Sequence, residues 1–288
     1  MRVGIHAWEA DAEKLAAYCH SIDVEDVCLS CSSVEGFDET GILEASALRR
    51  FKQGLSWKGV DLTALIAPTP SRAVLEGNLD GGDEAERLCK TIEAMGEAEV
   101  NTALWYPFNG ILYRPPHLII GEGGRYSLES LDGSFRPGGL HWPTLVSFFR
   151  RIAEAAEGAG VKLASHMWDL YFMDALLEAV ASRSMGVTYC PGIYILGGDP
   201  YDAIAYLGAD RVFLAHARNV VRHGPRFRDY EEVFLDKGDV DISRCIQLLK
   251  SIGYEGIIIP EHLGPPSDEA NLPNAVRYLK GTLTSREK

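Results

Sequence analysis

Residues 211–216, which read RVFLAH, form an almost uninterrupted apolar run that ends in a histidine. The runs VGIHA at residues 3–7 and GIIIPEH at residues 256–262 have the same character. Continuous apolar runs of this length are typical of parallel β-strands that are buried on both faces. The sequence therefore predicts a parallel sheet covered by other elements on both sides.

Strand-like runs of this kind alternate with helical patterns from one end of the chain to the other. The strands are predicted at residues 2–7, 24–31, 60–67, 99–106, 161–166, 186–190, 211–216 and 256–261. The helices are predicted at residues 11–20, 39–53, 83–96, 142–158, 173–182, 200–207, 242–252 and 271–282. Strict alternation of eight strands and eight helices indicates an α/β protein with a (β/α)8 TIM barrel fold, here a single domain over residues 1–288. An open doubly wound sheet is disfavoured, because no GxGxxG motif follows the first strand.

Composition limits the classes of partner. The formal net charge is −13, from 28 Lys and Arg against 41 Asp and Glu, which argues against nucleic-acid binding. No run of about 18 apolar residues is present, and the N-terminal segment lacks the apolar core of a signal peptide. We therefore expect a cytoplasmic protein without a membrane partner, whose 6 cysteines are free thiols.

Two connections are unusually long. They span residues 107–141, after the fourth predicted strand, and residues 217–240, after the seventh. In a barrel, the loops that follow strands build the C-terminal face, where active sites lie. We expect both long loops to border such a site, since long loops in compact domains are usually functional or disordered.

Residues of metal-ligand type end four consecutive predicted strands. They are His166, Cys190, His216 and Glu261. Because a barrel gathers its strand ends on one rim, these side chains are predicted to converge on one cation. A mixed nitrogen, sulfur and oxygen set suits manganese, iron, cobalt or zinc better than magnesium or calcium. A buried thiol or histidine alone has an ordinary structural explanation, but a carboxylate is costly to bury without a partner.

Further candidates lie around the predicted rim. Arg218 follows the seventh strand directly, and arginine is the usual partner of a carboxylate, so an acidic substrate is compatible with the negative overall charge. Asp236, in the segment FLDKGDVDI, is a candidate catalytic carboxylate. Trp8 and Trp105 occupy barrel-mouth positions and are candidate substrate-binding residues, and His6 lies within the first strand, from which it could point into the barrel.

The segments that carry these residues resemble one family. VFLAHARNV followed by FLDKGDVDI resembles the HxRNV…LDGDVDM stretch of mannonate dehydratases. LASHMWD, GVTYCPG, IIPEHLG and WYPFNGILYRPP are similar to other segments of that family, and the resemblance covers mainly residues 100–282. It implies a xylose-isomerase-like TIM barrel with the activity of a metal-dependent hydro-lyase that converts D-mannonate to 2-dehydro-3-deoxy-D-gluconate.

The resemblance also implies roles for single residues. The implied ligands of a divalent ion, with manganese expected first, are His166, Cys190, His216 and Glu261. Arg114 and Arg218 are implied as substrate contacts, and His262 is implied as a proton-transfer residue. We place Asn219, in the same motif as Arg218, among the substrate-binding candidates. A homo-oligomer is expected from the resemblance alone.

Three departures from the family keep other functions open. Glu261 stands where the family has Asp, Pro273 lies near the position of a family Tyr, and Lys237 interrupts the DGD spacing. The same metal would also serve an isomerase or epimerase that acts on a keto-sugar through an enediolate. A barrel that binds sugar acids without turnover is a third, non-enzymatic possibility. In each case the expected partner is a small sugar acid or sugar.

Overall fold

The computed structural model describes residues 1–106, 141–166, 170–224 and 229–285. Eight parallel strands close into a barrel, which confirms the predicted TIM barrel. The barrel strands are β1 (Arg2–Ala7), β2 (Asp26–Ser30), β3 (Asp61–Ile66), β4 (Thr102–Trp105), β5 (Lys162–Ser165), β6 (Met185–Tyr189), β7 (Val212–Ala217) and β10 (Ile257–Pro260). Their order around the barrel is β1-β10-β7-β6-β5-β4-β3-β2. Each lies within, or within one residue of, a predicted strand, because the apolar runs that mark them are buried in the closed sheet.

Helices surround the strands. They are α1 (Ala12–Ser21), α2 (Phe37–Thr40), α3 (Ala45–Ser56), α4 (Arg72–Leu75), α5 (Gly82–Glu97), α6 (Trp142–Ala159), α7 (Leu170–Val180), α8 (Pro191–Tyr194), α9 (Pro200–Leu207), α10 (Ile242–Ser251) and α11 (Asp268–Thr284). The single helix predicted at residues 39–53 is two helices, because Gly41 ends α2 in a left-handed conformation with φ of 67°. Within the described ranges, no helix is both long and apolar enough to cross a membrane.

The connection after β7 contains a hairpin that the sequence analysis did not predict. Strand β8 (Asn219–Arg222) pairs antiparallel with β9 (Tyr230–Val233). The Asn219 amide donates hydrogen bonds of 2.8 Å to the carbonyl oxygens of Leu235 and Val240, and its side-chain oxygen accepts from the Val240 N–H at 3.1 Å. This one buried side chain therefore ties both ends of the connection together beside the rim of the barrel.

Apolar side chains form two layers, one inside the barrel and one between the strands and the helices. The inner layer consists of Cys28, Ala64, Leu104, Ala164, Phe213, Leu214, Ile257 and Ile259. Successive side chains of a strand point to opposite faces. Leu104 and Tyr106 accordingly belong to the inner layer, while Trp105 between them belongs to the outer one. Phe213 and Leu214 both belong to the inner layer because the register between β6 and β7 shifts at this point.

A buried polar contact lies at the N-terminal end of the barrel. Asp26 is buried and accepts two hydrogen bonds of 2.8 Å from the Arg2 guanidinium and one of 2.6 Å from the Thr63 hydroxyl. A buried carboxylate needs such partners to offset its lost hydration. The contact joins the first three strands at the end of the barrel remote from the predicted ligands.

Candidate metal centre

Four side chains meet at the C-terminal end of the four adjacent strands β5, β6, β7 and β10. His166, Cys190 and Glu261 each directly follow a strand, and His216 is the penultimate residue of β7. One ligand atom from each lies within 4.8 Å of the other three. The barrel therefore brings together all four predicted ligands, although they are up to 95 positions apart in the sequence (261 minus 166).

The Glu261 carboxylate is the centre of this group. Its Oε1 lies 3.0 Å from His216 Nδ1, 3.4 Å from His166 Nε2 and 3.5 Å from Cys190 Sγ. Burial opposes ionisation of Glu261, but the two histidines outweigh it and hold the pKa of the carboxyl well below its usual range. Burial, reinforced by the charge of Glu261, raises the pKa of the Cys190 thiol. Without a cation, the thiol therefore remains protonated.

The donor atoms of this group fit a divalent ion. His166 Nε2 and His216 Nδ1 are buried and face the Glu261 carboxylate, but they make no hydrogen bond of regular geometry in the part of the chain that the structure describes. Buried polar nitrogens without a partner are uncommon in folded proteins and call for an explanation such as an ion. Two imidazoles, a thiol and a carboxylate suit a borderline metal such as manganese, iron, cobalt or zinc.

His6 on β1 extends the group by one residue that the sequence analysis did not assign a role. Its Nε2 lies 3.1 Å from His216 Nε2, and the two rings meet edge to face with centroids 4.9 Å apart. Burial, together with the neighbouring His216, lowers the pKa of His6 to about 3, so the ring is neutral. The flanking Ile5 and Ala7 belong to the outer layer, and that alternation is the sequence signal that places His6 inside the barrel.

A second polar group lies at the rim, beside the four ligands. Glu232 on β9 binds the Arg218 guanidinium through one carboxylate oxygen and His262 Nδ1, at 2.7 Å, through the other. Burial opposes ionisation of Glu232, but the hydrogen bond from His262 and the charge of Arg218 lower the pKa of its carboxyl. Burial also opposes the charged form of His262, whose pKa is nevertheless raised by the Glu232 hydrogen bond.

The sequence analysis missed Glu232 because the hairpin that carries it was predicted only as a loop. Gly264 marks how closely the hairpin approaches the chain after β10: a Cβ there would lie 2.8 Å from the Glu232 carbonyl oxygen. The neighbouring His262 has a left-handed backbone with φ of 51°, and the Asp268 carboxylate accepts hydrogen bonds from the N–H groups of His262 and Leu263. These contacts fix the turn that presents the imidazole to Glu232.

Arg218 is seated in a narrow space. It is only 5% exposed, and its Nε has no hydrogen-bond partner within the described residues. A Cβ at Gly192, in α8, would lie 2.7 Å from the Arg218 carbonyl oxygen and 2.8 Å from its Cγ. The absence of a side chain at position 192 is therefore what makes room for the arginine.

Two predicted substrate-binding residues have other positions. Asn219 is fully buried, and its amide is engaged with the backbone of the β8–β9 connection, which gives it a structural function, while its contact with a substrate stays a prediction. Trp105 points outward and packs on Phe149 with ring centroids 4.2 Å apart, because the strand alternation turns it toward the helices. The inward-facing aromatic is the next residue, Tyr106, whose ring centroid lies 5.0 Å from that of His166.

The remaining candidates are dispersed. The Asp236 side chain is 45% exposed and lies 3.6 Å from Lys237, and none of its described contacts involves the four ligands. Strand β9 of the hairpin ends at Val233, and Asp236 lies beyond it with its side chain exposed to solvent. Trp8 is 65% exposed, with its ring centroid 5.9 Å from that of His6, so it stands next to the group without enclosing it. Arg114 and the loop at residues 107–140 lie outside the described residues.

Comparison with known proteins agrees with this barrel. The family model described as xylose isomerase-like TIM barrel matches residues 31–282. The mannonate dehydratase of Streptococcus agalactiae serotype V is 30% identical over 141 residues, which cover 42% of this chain and 40% of that protein. The match thus spans about two fifths of the relative's length.

Two solved structures share the fold. The mannonate dehydratase from Streptococcus suis serotype 2 superposes with a TM-score of 0.75 at 16% identity, over 98% of this chain and 94% of that one. An L-ribulose 3-epimerase superposes with a TM-score of 0.64 at 16% identity, over 100% of this chain and 99% of that one. At these identities the likeness concerns the fold.

Proposed function

The chain belongs to the xylose isomerase-like TIM barrel family, and on that premise we propose that it is a metal-dependent hydro-lyase that removes water from a sugar acid, with D-mannonate as the first substrate to test. The observation that carries the proposal is the convergence of His166, Cys190, His216 and Glu261 at one end of the barrel. Arg218 and His262 beside them supply the two further functions that the reaction needs, binding of a carboxylate and transfer of a proton.

Dehydration of a hexonate breaks two bonds. The C2–H bond breaks, its electron pair forms a C2=C3 double bond, and the C3 hydroxyl leaves with a proton as water. The resulting enol then gains a proton at C3 and loses the proton of its C2 hydroxyl, which gives the 2-keto-3-deoxy acid. The reaction therefore needs a group that accepts the C2 proton, a group that protonates the leaving hydroxyl, and positive charge near the carboxylate.

The described part of the chain offers residues for the positive charge near the carboxylate and for proton transfer. When bound by the four ligands, a divalent ion would polarise substrate oxygens and stabilise the negative charge that develops next to the carboxylate. Arg218 presents a buried Nε, which has no hydrogen-bond partner among the described residues and can donate a hydrogen bond to that carboxylate. His262 is partly exposed and can transfer protons through its Nε2, since its Nδ1 is held by Glu232.

One observation favours a second candidate, an isomerase or epimerase of keto-sugars. Arg218 is already paired with Glu232, so its charge is offset before a substrate arrives. A divalent ion would likewise be offset by the Glu261 carboxylate and the Cys190 thiolate. With both charges balanced, a neutral keto-sugar would enter without electrostatic cost, whereas a hexonate would have to compete with Glu232 for Arg218.

A product screen separates these functions. We would incubate the manganese-supplemented protein with a panel of hexonates and a panel of keto-sugars and measure product masses, with the Cys190→Ala and His216→Ala variants as controls. A hydro-lyase gives a product lighter by one water from a hexonate, and both variants lose that activity. Conversion of a keto-sugar at unchanged mass, with no hexonate consumed, would replace the lyase by the isomerase. Ligand-dependent melting shifts without any product would support a binding protein instead.

A further inference from the structure

We propose that His6 is a positioning residue for the metal centre. It holds His216 through a hydrogen bond between the two Nε2 atoms, so that His216 presents its Nδ1 to the ion. This inference rests on the metal centre of the proposed function. It does not depend on which substrate the protein converts.

The geometry assigns different functions to the two nitrogens of His216. Nδ1 faces the other ligands, 3.0 Å from Glu261 Oε1, and makes no hydrogen bond of regular geometry in the described part of the chain. Nε2 points the other way and meets His6 Nε2 at 3.1 Å. The ring is completely buried, so water does not compete for either nitrogen.

A neutral imidazole carries one hydrogen, so the partner of one nitrogen decides what the other can do. If Nδ1 is to bind a cation, the hydrogen of His216 must reside on Nε2, and Nε2 then needs an acceptor. His6 can provide that acceptor at its own Nε2, 3.1 Å away, with its hydrogen on Nδ1. Such outer partners of ligating histidines fix the tautomer and the ring orientation, and their loss typically weakens metal binding by about 10–100-fold.

His6 is less suited to be a ligand itself. It is not one of the four residues whose donor atoms lie within 4.8 Å of one another. Its Nε2 is directed at His216 Nε2 rather than at Glu261 Oε1, and its nearest approach to the carboxylate is 3.9 Å, to Oε2. His6 therefore contacts His216 on the side of the ring that faces away from the other ligands.

The test uses two substitutions at this position and one control. His6→Leu removes the acceptor, whereas His6→Gln retains a side-chain oxygen that can accept from His216 Nε2–H. His20→Leu changes an exposed histidine on α1 and serves as the matched control. The affinity for Mn²⁺ and for Co²⁺ is measured by calorimetry, and thermal melting of the metal-free proteins verifies that each variant is folded.

We expect His6→Leu to bind both ions about 10–100-fold more weakly than the wild type, and His6→Gln and His20→Leu to bind them within a few-fold of it. Nitrogen NMR of the wild type loaded with Zn²⁺ is expected to show the ion on His216 Nδ1, with hydrogens on His216 Nε2 and His6 Nδ1. The NMR measurement needs no variant, so it decides the matter even if His6→Leu does not fold.

Three results would contradict the inference. Equal affinities of the wild type and His6→Leu would show that the contact does not position the ligand. A zinc-induced shift at His6 Nε2 would make His6 a ligand. A wild type that binds no ion would overturn the metal centre itself. A protein that binds the ion in the predicted manner but dehydrates no sugar acid would leave this inference standing and overturn only the proposed reaction.

Discussion

Arg218 and Glu232 form an ion pair at the rim of the barrel, next to the four candidate ligands. The pair joins the end of β7 to the hairpin strand β9, and Glu232 extends it to His262. The Arg218 guanidinium, which would bind the carboxylate of a substrate, is thus already paired with a carboxylate of the protein.

Glu232→Gln is expected to strengthen the binding of hexonates. Removal of the carboxylate charge leaves Arg218 free to pair with a substrate carboxylate, and we expect about tenfold tighter binding, equivalent to ~1.4 kcal/mol. Calorimetric titration with a hexonate and with a neutral keto-sugar measures the effect. Glu231→Gln, on the exposed face of the same strand, is the control and is expected to change neither affinity. Unchanged hexonate affinity in Glu232→Gln would mean that Arg218 does not receive the carboxylate.

Gly192→Ala is expected to impair the site and to lower the free energy of unfolding, because the added Cβ would lie only 2.7 Å from the Arg218 carbonyl oxygen. The added methyl group would press on the backbone and Cγ of Arg218 and displace the guanidinium. A misplacement of about 1 Å in a reacting arrangement can lower the rate by about 10²-fold. Gly198→Ala is the matched control, since a Cβ at position 198 meets nothing within 4 Å. Equal kcat/KM values of the two variants, measured on the substrate found in the screen, would show that Arg218 tolerates the displacement.

Cys190→Ala is expected to abolish stoichiometric metal binding. The thiol is one of four donors. The three donors that remain in the variant, without a thiolate, bind a borderline ion much more weakly. Cys28→Ala removes an equally buried thiol from the inner layer of the barrel and should leave the metal content unchanged. Elemental analysis of the purified proteins after dialysis compares them, and full metal content in Cys190→Ala would exclude the thiol as a ligand.

Metal binding is expected to strengthen as the pH rises. The pKa of the Cys190 thiol is raised in the metal-free protein, so the thiol is protonated at neutral pH, and an ion must displace that proton. Below the thiol pKa, the release of one proton increases the affinity about tenfold for each unit of pH. Calorimetry in buffers of different ionisation enthalpy counts the protons released. Cys190→Ala should release about one proton fewer at whatever residual affinity it retains.

Asn219→Ala is expected to lower the free energy of unfolding of the protein. The side chain is fully buried and makes three hydrogen bonds to residues 235 and 240, and each buried backbone group left without a partner costs about 1–3 kcal/mol. A clear fall in the free energy of unfolding, measured with urea, is the expected result. Unchanged stability together with a raised KM would contradict this expectation and support the substrate contact predicted from the sequence.

The sequence predicted the barrel and its four candidate ligands because both depend on local patterns. Apolar runs mark the strands, and a ligand-type residue at each strand end needs only the known convergence of barrel strands to be grouped. Glu232 could not be predicted in this way, since its position depends on the pairing of β8 with β9 and on the close approach at Gly264. The orientations of Asn219 and Trp105 could not be predicted for a related reason, because sequence position near a rim does not reveal the direction of a side chain.

The ligands and the rim ion pair all come from the last four strands of the barrel and the hairpin among them, between residues 166 and 262. Among the described residues, the first four strands contribute His6 and, through one ring contact, Tyr106. Within the described residues, the four candidate ligands thus all come from one half of the barrel, and the other half supplies His6 and part of the barrel wall. A chimaera that takes its first half from another barrel of this family should retain the four candidate ligands. The protein that supplies this half must carry a histidine at the position of His6. Recombination of half-barrels is therefore a practical way to vary the solubility and stability of this chain while its donor atoms stay constant.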